Sequence, residues 1–522
     1  MKRTAQKTAI LIIPAVLVLS VQTLAYQEDL YDDNVLRTIQ LEFSQSNWWS
    51  QLQANYQAKE NILATMIVDG VTYEDVGVRF RGNTSYMMTG NSQKKPFNIE
   101  VDYTHENQRL MGYKTLNLIN CMNDPTFMRE VLYSNMCRQQ IPSAKANFVR
   151  LEINGENWGI YANAQQLNAE FIEDWFPSND GTRWRAEGMM GGWGQGGGGG
   201  QGDGGGQDPD DGPTPDPRPL PNPRQAESNI DDLPLAEAGG GGMGGGVTSG
   251  LAALTWQGSD SAAYEAVYEL KNTNQDDPWA SLINTCDVLN NTPLEQLPDK
   301  IEEVLDVDRA LWLCAFEIIF LDDDGYVNKR GSDYCLYYEP ETGRMHLMQY
   351  DGNECLGDHQ WSLFYRENDP VVPIMYRLMD IPKYRQRYMA HARTILRSFF
   401  TEETLFPIID AYQALIEDEV RLDNKKLHSN QAFTSGIERL KDTIENRRRL
   451  LFSNRALNRS APEITAVSQE IVQNNNEQSL TITAQIGDSI AVSEVHLYVS
   501  EGVTERFIPR LMVDDGEHGD EA

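Results

Sequence analysis

The sequence predicts an α+β fold. Three observations carry this prediction: β-rich alternating runs fill residues 62–166, helical periodicity dominates 294–457, and a Gly/Pro-rich stretch lies between them. Hydrophobic residues make up 40% of the chain, enough for a core, so wholesale disorder is excluded. The net charge is −33, from 44 Lys+Arg against 77 Asp+Glu. That balance argues against nucleic-acid binding, because few cations are present to neutralise a run of phosphates. It equally disfavours docking on an anionic membrane surface.

Residues 1–25 read as an export signal. Lys2, Arg3 and Lys7 precede an apolar run from Ala9 to Val21, and Thr23-Leu24-Ala25 puts small residues at the −3 and −1 positions. The run is short for a membrane span, and no other long apolar run follows. A secreted or otherwise extracytoplasmic protein with no stable membrane insertion is expected; an uncleaved N-terminal anchor is the alternative. Six cysteines remain and none forms a CxxC pair, which disfavours a zinc knuckle. Cys335 and Cys355 flank a predicted hairpin and are candidates for a disulfide, with buried free thiols as the other reading.

In the first half, 62–82 reads as a hairpin turning at Asp69-Gly70, and 148–166 as another turning at Asn154-Gly155. A strand is expected over 95–103. Between them 125–140 is helical, with Asp124 as cap and Pro125 as first residue. Residues 188–250 hold 22 of the 41 glycines and 8 of the 23 prolines and are expected to be a disordered insert. A phosphate cradle is disfavoured there, since no GK[ST] terminus follows. Two helical stretches follow over 294–321, then a hairpin over 332–351, then amphipathic helices over 380–457. Residues 462–522 alternate like strands of an Ig-like β-sandwich, and the sequence stops where a further strand is expected. The acids Asp514, Asp515, Glu517 and Asp520 there are a calcium site or a solvated tail.

The chemistry concentrates around the second hairpin. Hairpin ends return to one place, so Asp333 and Asp351 are expected to be neighbours, with Asp324 on the loop feeding in. Converging carboxylates repel unless compensated. Oxygen-only ligands suit Mg²⁺, Mn²⁺ or Ca²⁺. The layout matches phosphoryl transfer, where one Asp orients the acceptor hydroxyl and others hold metal on the phosphates of ATP. Asp324 takes the first role; Asp351, Asp333 and Asn353 are the metal candidates. Asp323 with Asn328 is an alternative pair at D-x-x-x-x-N spacing.

From Asp29 to Leu457 the chain resembles the CotH family, spore-coat-protein-H-like secreted kinases. The shared segments are VGVRFRGNTSY (76–86), KKPFNIEVD (94–102), LMGYKTLNLIN (110–120), FMREVLYSNMCRQQIPSAKANFVRLEINGENWGIYANAQQLN (127–168), YELK (268–271), DGY…SDY…LYYE (324–339) and YDGNE (350–354). The resemblance implies an atypical protein-kinase-like domain over 26–457, interrupted by the insert. It also implies ATP and Mg²⁺ or Mn²⁺ as cofactors and a secreted or cell-surface protein as substrate. By motif position the family's catalytic and metal-binding acids fall on Asp324 and Asp351. Arg79, Arg81, Lys94, Lys95 and Lys271 lie in matching motifs; Arg81, Lys95 and Lys271 are the candidates for the phosphates. Two departures stand out. Gln165 and Gln166 replace a family Glu, and Tyr350-Asp351-Gly352-Asn353 replaces W-D-x-D, which leaves a pseudokinase or non-catalytic assembly protein as the alternative. A calcium-dependent binding protein is the third reading.

Overall fold

The computed structural model describes residues 5–13, 29–186, 252–458, 462–474, 477–487, 492–502 and 504–514. It divides into two units, Glu28–Leu451 and a second one formed by Met1–Gln27 with Phe452–Ala522. Strand β1 (Ala5–Ile13) belongs to the second unit.

In the larger unit, seven strands close a barrel in the order β2-β3-β4-β5-β6-β8-β7. They are β2 (Arg37–Glu42), β3 (Ile62–Val68), β4 (Val71–Phe80), β5 (Phe97–Glu100), β6 (Thr115–Ile119), β7 (Ala146–Ile153) and β8 (Glu156–Gln165). The expected two-residue turns are present. Asp69-Gly70 and Asn154-Gly155 all have positive φ, between 51° and 79°, as a turn matching strand twist requires. One long-range contact closes the barrel: β2 pairs in parallel with β7, Ile39 opposite Leu151. Ile39, Met66, Val78, Phe97, Leu118 and Leu151 lie in one buried cluster, with Trp48 and Trp49 packed against it.

The expected helix begins late. It spans Arg129–Cys137 with Met128 as its cap, not Asp124. The Asp124 carboxylate instead accepts from the backbone N–H groups of Thr126 (2.9 Å) and Arg129 (2.9 Å), closing the turn that leads into the helix.

Strands on both sides of the Gly/Pro-rich stretch pair with each other. β9 (Thr182–Ala186) is antiparallel to β10 (Tyr268–Asn272) and to β11 (Tyr334–Glu339), which pairs with β12 (Arg344–Gln349). Residues 188–250 lie outside the described residues, yet the chain that flanks them builds one four-stranded sheet in the order β10-β9-β11-β12. Replacing 190–245 by a short Gly/Ser joint should therefore leave the melting temperature within about 5 °C of the full chain. A larger fall in a thermal melt would mean that the stretch packs on the domain.

Helices Val307–Phe320, Pro382–Thr394, Glu402–Leu422 and Asn430–Phe452 complete this unit. The first is buried along nearly its whole length, as its apolar run from Ala310 to Phe316 requires. Its last carbonyls, Ile318 O and Ile319 O, accept from the buried Arg447 guanidinium, which also donates to Trp361 O at 2.6 Å.

All six cysteines are free and buried, so Cys335 and Cys355 do not form the disulfide considered from sequence. In the smaller unit β13 (Glu463–Asn474) and β14 (Glu477–Gly487) form an antiparallel pair, and β1 adds to the other edge of β14. β15 (His496–Val499) pairs with β16 (Ile508–Leu511). Ala484, Ile486 and Met512 form a small core with Val492, Val495 and Leu497 against it. Of the acids considered for calcium, Asp515, Glu517 and Asp520 lie outside the described residues.

Candidate active site

The acidic loop is delivered by the C-terminus of helix Val307–Phe320. Leu321 ends the helix in the left-handed conformation, φ +58°. Glu317, in the last turn, then accepts the N–H groups of Tyr326 (3.0 Å) and Val327 (2.7 Å). Its carboxylate leaves no room for a side chain at Gly325, where a Cβ would lie 2.7 Å from Glu317 Cδ. This fixes the loop 322–328, which holds Asp324. Asp324 keeps 38% of its side-chain surface and faces Lys329 Nζ at 3.3 Å. The alternative pair is internal to the loop: the Asn328 amide donates to Asp323 Oδ1 at 2.9 Å and to Asp323 O at 2.8 Å.

The hairpin register sets Tyr334 opposite Gln349, so Asp333 and Asp351 leave the sheet at the same end. Both take positive φ, +40° and +57°. The structure brings Asp324, Asp333 and Asp351 into one electrostatic neighbourhood. Burial pushes the Asp351 carboxyl up to about 6, with Arg81 opposing and Asp324 adding. Burial also raises Asp333, reinforced by Asp351 and Asp324 and opposed by Arg185. The amide of Asn353 donates to Asp351 Oδ1.

Three further residues belong to this cluster and were not singled out from sequence. Glu130, on helix Arg129–Cys137, is buried, lies beside Asp351 and is pushed up to about 8 by burial and then by Asp351. Its signal was present in the REVLYSNMC segment, a carboxylate on an otherwise buried helix face. Arg185 stands on β9, in register with Glu269 of β10 and Cys335 of β11. Asp322 is buried beside Glu317, Asp333, Asp324 and Asp351, and its Oδ1 has no hydrogen-bond partner.

The cations sort into two groups. Arg81 faces Glu130 and Asp351 from the end of β4. Arg185 and Lys271 flank Glu269, at 3.2 and 3.1 Å, and Arg185 also acts on Asp333. Lys95, in contrast, does not reach the acids. Its ammonium donates to Tyr86 O (2.7 Å), Thr89 Oγ1 (2.7 Å) and Gly90 O (2.8 Å), so all three donors serve the loop 84–90. Lys94 is buried against Asp423, and Arg79 lies 3.7 Å from Glu100. Gln165 and Gln166 are likewise engaged elsewhere, by Lys145, Asp174 and Asn117.

Among the described residues no three His, Cys, Asp or Glu side chains converge closely enough to hold a metal by themselves. The donors present fit a different arrangement. Mg²⁺ is commonly held by one or two carboxylates, with substrate phosphates and water completing its shell. Asp351 and Asp333 would supply that pair, beside the buried Asp322, whose Oδ1 has no hydrogen-bond partner.

The raised carboxyls make a pH prediction. Glu130 and Glu317 are both pushed up to about 8 and Asp351 to about 6, against ordinary values near 4. Between these limits the native state holds protons that the unfolded chain has released, so these groups lower stability as pH rises from about 4 to about 8. Thermal melts in EDTA should give a higher Tm at pH 5.5 than at pH 8.5, with a smaller difference in Asp351→Asn. A flat or inverted dependence contradicts the cluster's electrostatics.

No helix among the described residues is long and apolar enough to cross a membrane. Inner spore coat protein H of Bacillus subtilis (strain 168) is 26% identical over 194 residues, which are 36% of this chain and 51% of that protein. The chain thus spans about half the length of the curated relative it matches. A model of the family described as CotH kinase protein matches residues 78–451. That match runs from β4 into the last long helix and takes in every acid of the cluster, and the chain belongs to the CotH kinase protein family.

Proposed function

We propose that this chain is an extracytoplasmic protein kinase that transfers the γ-phosphoryl group of ATP to protein hydroxyls, on an atypical kinase-like scaffold. The observation that carries the reading is the meeting of an open acid, Asp324, with two recessed acids, Asp333 and Asp351, beside Arg81 and Arg185. Mg²⁺ or Mn²⁺ held by Asp351 and Asp333 supplies charge neutralisation on the phosphates. Asp324 accepts the proton of the acceptor hydroxyl as its oxygen attacks the γ-phosphorus and the bond to ADP breaks. Arg81, Arg185 and Lys271 hold phosphate oxygens in place. Asn353 orients Asp351 through its amide rather than acting as an independent ligand.

Residues 1–25 act in this reading as an export signal. Its removal takes β1 away and leaves β14 paired with β13 alone; the smaller unit then serves as an Ig-like attachment module. The acceptor is a secreted or cell-surface protein. A non-catalytic assembly role is the second reading, favoured by the coat-protein relative and by the absence of a three-ligand metal cluster among the described residues. Incubating the purified protein with labelled ATP and Mn²⁺ tests the choice. Self-labelling that is lost in Asp351→Asn supports the kinase; no labelling and no nucleotide binding supports the assembly protein.

A further inference from the structure

The Asp351-Gly352 peptide is held by a residue of helix Arg129–Cys137. Glu130 Oε2 accepts the Gly352 N–H at 2.7 Å, while Oε1 accepts from Ser134 Oγ at 3.2 Å. Both oxygens of this buried carboxyl therefore have hydrogen-bond partners. From the same helix Tyr133 lies so close to Gly352 that a Cβ there would sit 2.4 Å from Tyr133 Cδ1. Tyr133 is itself braced against Phe320, ring centroids 5.4 Å apart, at the end of the helix that delivers the acidic loop. This clamped peptide begins at Asp351, whose φ of +57° is a left-handed conformation that Asp reaches more readily than most L-residues but that surrounding contacts help to hold.

We propose that Glu130 is a positioning residue that clamps the Asp351-Gly352 peptide and so keeps the Asp351 carboxylate in its metal-binding orientation. The inference rests on reading Asp351 as a metal ligand. Without the Gly352 hydrogen bond the left-handed conformation loses one of its restraints, and the competent state becomes one of several. Apparent metal–nucleotide affinity then falls by the fraction of time that state is lost. What matters at Glu130 is an acceptor in the right place, not its charge. Glutamine retains an acceptor oxygen of the same reach; methionine fills the volume without one.

The test measures Mn²⁺–ADP binding by calorimetry on the full chain, with thermal melts of the metal-free proteins alongside. Glu130→Met should weaken Mn²⁺–ADP binding about tenfold, the effect of a conformer that falls to about a tenth of the population. Glu130→Gln should stay within about twofold of the wild type. If Glu130→Met does not fold, Ser134→Ala, which loosens the glutamate, should weaken binding in the same direction. Equal damage from Gln and Met would make Glu130 a charged ligand and overturn the clamp. Affinity unchanged in Met while Asp351→Asn destroys it would overturn the clamp and leave the kinase reading intact. Affinity unchanged in Asp351→Asn would remove both.

Discussion

Asp351→Asn should abolish tight Mg²⁺–nucleotide binding, whereas Asp324→Asn should leave nucleotide affinity nearly unchanged and lower turnover by about 10²–10⁴-fold, the range for a lost general base. The two acids occupy different surroundings. Asp351 is recessed among Glu130, Arg81 and Asn353, in reach of Asp333. Asp324 keeps 38% of its side-chain surface and pairs with Lys329 through Oδ1 at 3.3 Å, so an incoming hydroxyl can reach it from its open side. Asparagine tolerates the positive φ at position 351, so a loss of binding there reports the carboxylate rather than the backbone. Calorimetry with Mn²⁺–ADP and initial rates with labelled ATP separate the effects. Equal nucleotide affinity and equal residual activity in the two variants would show that the roles are misassigned. No effect of either on labelling would place catalysis elsewhere.

Lys94→Met should cost about 3–5 kcal/mol in a denaturant titration, because it leaves a buried carboxylate uncompensated. Lys94 and Asp423 have no exposed side-chain surface and meet at 2.7 Å. The ammonium also donates to Trp158 O at 2.7 Å and stands 3.9 Å from the centre of the Tyr161 ring. This pair ties the chain after helix Glu402–Leu422 to the barrel. The approach is close enough that a Cβ at Gly159, φ +75°, would lie 2.0 Å from the Asp423 carboxyl carbon. Lys94→Met combined with Asp423→Leu should recover part of the loss, since replacing both members of a buried pair by apolar groups is often tolerated. Recovery should be incomplete, because Asp423 Oδ1 also accepts the Lys425 N–H at 2.8 Å. A single variant as stable as the wild type would mean that water reaches the pair.

Lys94 and Lys95 also show where sequence reading of the site stops. Both stand in a motif shared with the family, and the resemblance made Lys95 a phosphate candidate. Its ammonium is used up by Tyr86 O, Thr89 Oγ1 and Gly90 O, only five to nine residues earlier, yet no residue pattern there tells such a closed loop from one open to a phosphate. Arg185 shows the converse, a partner set by distant pairing. Its setting beside Asp333 comes from pairing β9 with β10 and β11, across the long Gly/Pro-rich stretch. Glu130 reaches Gly352 over 222 positions of sequence.

What the sequence determined by itself is local. Asp69-Gly70 and Asn154-Gly155 demand positive φ and leave the flanking strands a single tight turn, so those hairpins were legible before any packing was known. The return of the second hairpin placed Asp333 and Asp351 together on the same grounds, and the polar loop after a largely apolar helix put Asp324 beside them. The tertiary structure alone decided that β2 closes a barrel on β7, that Asp124 serves a turn ahead of the helix, and that the cysteines stay unpaired. It also decided which cations face the acids. Turn chemistry and alternation are settled by a few neighbouring residues, whereas the partner of a buried charge is chosen by packing among segments far apart in the chain.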